Sequence, residues 1–191
     1  MGDLGLKRWL EDRHDEIVRR WRAEIRGRED RRGDEGDGFL GVFLDSLLFF
    51  LPACLGAQKA VGKEIWQQAT HLYGSFALQR GLAAGEVVED LQLLREVILR
   101  LLLEGPLGEL KDRDFQKDFL ALNKVLDLGV VRASISYVDD LFFAHLQGSG
   151  VFEGVTSEVE EEMYRQLDTF RRELGTSSLK LPSHRSSNDQ E

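Results

Sequence analysis

The chain has 191 residues, of which 42% are hydrophobic and 31% charged. That composition fills one core and is too short for two comfortable domains. A formal charge of −9 argues against a nucleic-acid protein, which needs a cationic face. The single cysteine, Cys54, excludes an internal disulfide or a cysteine-based zinc cluster.

In chain order, Leu6, Trp9, Leu10, Ile17, Val18, Trp21 and Ile25 recur at helical steps and predict one amphipathic helix. Residues 1–32 carry a net charge of +2 and the remainder −11, and the mixed signs of the first helix read as a solvated face. No cationic start leads into an apolar run, so no leader peptide is expected; with the lone thiol, the expected location is cytoplasmic. The segment 27–38, rich in glycine and charge, reads as a flexible connector.

Residues Phe39 to Leu55 form the most apolar stretch, 17 residues at the lower edge of a spanning length. Asp45 near its middle and Pro52 near its end favour a helix buried on most sides over a membrane span. Association of this run with a membrane surface is a further alternative. A third helix carries Ile65, Trp66, Ala69, Leu72, Tyr73 and Phe76 and should stop near Gly81. A fourth begins after Gly85, carries Val87, Leu91, Leu94, Ile98 and Leu101, and closes at Gly105-Pro106. The fifth keeps step from Phe115 to Ala144, with Gly129 available to bend it or its end projecting beyond the bundle. A last helix is expected over about Ser157 to Leu174, with Ser157 and Glu160 spaced as a capping box. The polar stretch 175–191 is expected to be disordered.

The chemistry-bearing residues are sparse. His14, His71, His145 and His184 are scattered without the spacing of a helical metal site. His14-Asp15-Glu16 has an acidic neighbour of the kind a phosphoacceptor histidine uses, but no ATP-binding motif accompanies it. Cys54 lies in an apolar run that raises its thiol pKa, and no nucleophile elbow or phosphate loop is present. Acidic runs such as Asp139-Asp140 and Glu160 to Glu162 belong on solvated helix faces, so an enzyme is not expected.

The segment His71 to Leu99 resembles the RsbRD-type N-terminal domain found ahead of STAS modules in stressosome co-antagonists and ahead of some bacterial sensor histidine kinases. The matching elements are His71 on a helix, the closing Gly81, and Asp90 five residues before Arg95 in the Leu93-Leu94-Arg95 element. Arg20-Trp21 matches the family's first helix, and Ser75 stands where a basic residue is expected. The resemblance covers residues 6 to 145. It implies an all-α, globin-related bundle of five to six helices, usually without haem, to which this chain adds a C-terminal helix. The expected organisation is a sensor-like helical domain over 1–147, a linker and C-terminal helix over 148–174, and the tail.

The function expected from this is a non-catalytic bacterial signalling or adaptor module that acts by protein–protein interaction, as a homodimer, with no output domain among these residues. Its contact surface is expected at Tyr137, Leu141, Val159, Met163, Leu167, Phe170 and Leu174. A ligand pocket is expected around His71, Tyr73, Asp90 and Arg95, with Arg95 reaching an acceptor on a neighbouring helix. No metal or cofactor is expected; the alternative is a sensor holding haem or another small molecule through His71, which the third helix sets among Trp66, Tyr73 and Phe76 as if facing an aromatic pocket.

Overall fold

A computed structural model of the chain describes residues 5–27, 37–105, 113–147 and 155–179. Among them the fold is all-α. The helices are α1 (Leu6–Asp12), α2 (His14–Arg26), α3 (Asp37–Phe50), α4 (Lys59–Gln79), α5 (Ala84–Glu104), α6 (Arg113–Leu146) and α7 (Ser157–Leu179), with a 3-10 turn over Leu51–Cys54 between α3 and α4. The expected linker 148–154, most of the connector 27–38 and the tail beyond residue 179 lie outside the described residues.

The helix boundaries follow local chemistry. Pro52 stands within the 3-10 turn, where its missing N–H ends the α-helical ladder of α3. Gly81 adopts φ 72° just past α4, the left-handed conformation that closes helices without a side-chain clash. At the start of α5 the Glu86 carboxylate accepts from the Ala83 N–H at 2.6 Å, one half of a capping box. The cap of α7 is Thr156 rather than Ser157: its hydroxyl accepts from the Val159 N–H at 3.4 Å.

The structure divides the first expected helix in two. Arg13 leaves helical geometry at φ −104°, ψ 8°, where six polar residues separate Leu10 from Ile17. The break lets Leu6 and Leu10 pack in a different direction from Ile17, Trp21 and Ile25, and all five are buried. α1 meets the 3-10 turn and α6, whereas α2 lies against α3 and α5. The C-terminal helix also continues to Leu179, so residues 175–179 are helical and not part of a disordered tail.

α4 is the centre of the bundle, meeting α3, α5, α6 and α7. Its partnership with α6 is the closest in the molecule. A Cβ added to Gly74 would lie 2.1 Å from the Ala133 carbonyl oxygen, so only a hydrogen fits where the two backbones cross. One helical stretch away, Gly129 of α6 lies under the Trp66 indole, whose Nε1–H donates to the Val125 carbonyl at 2.8 Å. Gly129 therefore serves a close approach, and α6 runs through it as a single helix of 34 residues, about 51 Å long.

The apolar run Phe39 to Leu55 is a core element. Phe43, Leu44, Leu47, Leu48, Phe50 and Leu51 are fully covered, and Phe43 stacks on Phe76 with ring centroids 5.3 Å apart. Burial against its own chain removes most of this run from any membrane surface. No helix among the described residues is long and apolar enough to cross a membrane. Asp45 lies on the outer side of α3, where its carboxylate accepts from Arg171 of α7 at 2.8 Å. Arg171 also donates to the Ser46 hydroxyl at 3.1 Å and lies over the Phe49 ring, which clamps α7 onto α3. On the opposite flank, Arg20 bridges α2 to Glu104 of α5 at 2.9 Å, and Arg100 bridges α5 to Glu24 at 2.7 Å.

Candidate functional site

The four residues expected to form one pocket separate into three places. Tyr73 and Asp90 do meet: the tyrosine hydroxyl donates to Asp90 Oδ2 at 2.6 Å, and both side chains are wholly buried. The Asp90 main-chain carbonyl accepts from Trp21 Nε1 at 2.7 Å. Asp90 thus joins α2, α4 and α5 at one point. It occupies the core stripe of α5, three residues after Val87 and four before Leu94, so the backbone aims its carboxyl group inward. A buried carboxyl group demands such partners.

His71 is not in that pocket. Two positions along a helix correspond to about 200° of rotation, so the side of α4 that buries Tyr73 turns His71 to solvent. The histidine instead borders an open groove of ≈ 440 Å³ between α4, α6 and α7, with Leu72, Arg132 and Phe170. The aromatic surroundings expected for a haem ligand belong to Tyr73, whose neighbours are Phe43 and Phe76. Arg95 does leave its own stripe, as expected, but it reaches α6 and donates to the Asp127 carboxylate, away from His71.

Most of the expected contact surface is already occupied by the chain itself. Met163, Leu167 and Leu174 of α7 are buried, with Val159 and Phe170 half-buried beside them. This seam packs α7 onto α3 and α4. Tyr137 is also buried, and its hydroxyl donates to the Leu82 carbonyl at 2.7 Å. Burial, and secondarily the charge of Glu86, push its phenol pKa up. Of the seven residues, only Leu141 is exposed.

The exposed apolar surface lies on a different line of α6. Val131, Ile135, Val138 and Phe142 follow a three- and four-residue spacing and are 52%, 43%, 56% and 58% exposed. Their row runs along the outer side of the helix, opposite the residues that meet α4. The row is visible in the sequence, but α6 is apolar on both sides, and spacing alone does not say which side is covered. Large contiguous apolar patches are uncommon on the surfaces of monomeric proteins.

Cys54, His14 and His71 lie elsewhere in the bundle. Cys54 is buried, its thiol donates weakly to the Phe50 carbonyl at 3.7 Å, and burial pushes its pKa up to about 12. Among the described residues no three His, Cys, Asp or Glu side chains converge as a metal ion requires. His14 approaches the Asp15 carboxylate at 3.2 Å and the Asp45 carbonyl at 3.3 Å, an arrangement that ties α2 to α3. Comparisons of the chain with family models, with curated proteins and with solved structures gave no match.

Proposed function

We propose that this protein is a non-catalytic signalling or adaptor module that acts by protein–protein interaction, and that it does so as a homodimer. The observation that carries this reading is the uncovered apolar row of α6, Val131 to Phe142, whereas among the described residues the apolar stripes of α2, α4 and α5 are buried. The polar residues inside the molecule support it as well. Asp90, Tyr73, Trp21 and Trp66 each have an internal hydrogen-bond partner, as structural groups do. The resemblance of His71, Gly81, Asp90 and Arg95 to an RsbRD-type sensor domain fits the same role.

Signalling would proceed as a shift between packings of the bundle, in which a partner stabilises one arrangement of α6 against α4. The full chain immobilised on a resin, with Phe142→Asp as its control, tests the interaction reading. Proteins retained by the native chain and released by the variant are the expected result. Identical retention by the two, with both folded by circular dichroism, would remove the α6 face from the account.

A further inference from the structure

We infer that two copies of this chain pair through the outer faces of their α6 helices, running antiparallel. The inference deepens the homodimer reading above and rests on it. Leu128, Val131, Ile135, Val138 and Phe142 repeat at three- and four-residue steps over two heptads, the period of a two-helix seam. Taken as a seam, this row puts Ile135 of one copy against Val138 of the other, and Val131 against Phe142.

The flanking charges choose the second copy and its direction. Arg132 and Asp139 lie one heptad apart on the same edge of the row, and both are exposed. Antiparallel pairing sets each Arg132 beside the Asp139 of the other copy, so the two-fold axis makes the same ion pair twice. A parallel pair would set Arg132 against the other copy's Asp127, which Arg95 already holds. The Asp139 side chain makes no ion pair or hydrogen bond among the described residues. The Arg132 Nε–H donates to Gln67 Oε1 of α4 at 3.0 Å, so the guanidinium sits between the row and the α4 groove and its remaining N–H groups are the ones that would meet the other copy's Asp139. One sequence thus supplies an apolar ridge and opposite charges related by the symmetry of a dimer.

Sedimentation velocity of the full chain across a concentration series tests this. The expected result is a reversible dimer, weakened roughly tenfold by Asp139→Lys and by Arg132→Glu, because each reversal places like charges together twice. The double variant R132E/D139K restores the pairing with exchanged signs and returns the dissociation constant toward the native value. A dimer indifferent to Asp139→Lys overturns the antiparallel α6 pairing and leaves the homodimer reading in place. A monomer at every concentration overturns both, and leaves interaction with a different protein to the retention experiment. Failure of the double variant to recover, with native helicity, also overturns the pairing.

Discussion

The Tyr73 hydroxyl donates to the Asp90 carboxylate at 2.6 Å in the interior of the bundle, linking α4 to α5 where neither residue meets solvent. Tyr73→Phe removes that donor and keeps the ring's packing against Phe43 and Phe76. Loss of one buried hydrogen bond costs about 1 kcal/mol. Urea denaturation should show a lower midpoint with an unchanged slope, and a native midpoint would show that the bond contributes little.

A harsher effect is expected at the α4–α6 crossing. Gly74→Ala puts a methyl group 2.1 Å from the Ala133 carbonyl oxygen, and backbone cannot swing aside as a flexible side chain does. Overpacking of this kind costs about 1–3 kcal/mol, with more where the helices must separate. A thermal melt should fall clearly, while Gly85→Ala, in open space at the start of α5, should leave it nearly unchanged.

The clamp between Arg171 and Asp45 is partly exposed, so its contribution is modest, about 0.5–1 kcal/mol. Its loss should be local. Arg171→Ala removes the ion pair, the bond to Ser46 and the cover over Phe49. Hydrogen exchange should accelerate in α7 while α4 and α5 keep their protection. Equal acceleration everywhere would mean that α7 unfolds only with the whole bundle.

The alkaline limb of stability should carry the signature of Cys54. Burial raises its thiol from the ordinary 9.0 to about 12. The folded state therefore holds a proton that the unfolded chain releases first. This contribution is intact below pH 9.0 and is lost as pH rises toward about 12, at no more than about 1.4 kcal/mol per pH unit. Cys54→Ala should give a shallower alkaline slope; an unchanged slope would assign it to other groups, among them Tyr137, whose pKa burial also raises. Native Cys54 should resist thiol reagents that label the unfolded chain.

Periodicity and punctuation made the helices legible, because apolar spacing and the breakers Pro52, Gly81 and Gly105 act locally. The stop of α4 and the turn at Pro52 stand where those residues place them. The split at Arg13 was not legible, since it arises from two packing directions that only the assembled core imposes. The same limit applied to the site. Asp90 is expected in a ligand pocket and proves to be a buried acid in the core, because Tyr73, which donates to its carboxylate, and Trp21, which donates to its main-chain carbonyl, come from other helices, 17 and 69 residues away. The apolar seam of α7 looked like a surface for a partner because a sequence does not distinguish a neighbour in the same chain from one in another. His71 was placed by its aromatic neighbours in sequence, whereas helical rotation sends adjacent side chains to different sides.

With Gly74 pressed on the Ala133 backbone and the Trp66 indole seated over Gly129, α4 and α6 are pinned to each other at two points where a glycine leaves no room to give. Sliding one along the other by a turn would drive a carbonyl or an indole into the next Cβ. The movement left to α6 is a tilt about this double pin. Its far end, carrying Phe142 and Leu146, would sweep through the widest arc, so a small adjustment near Trp66 becomes a large one at the solvent-facing tip.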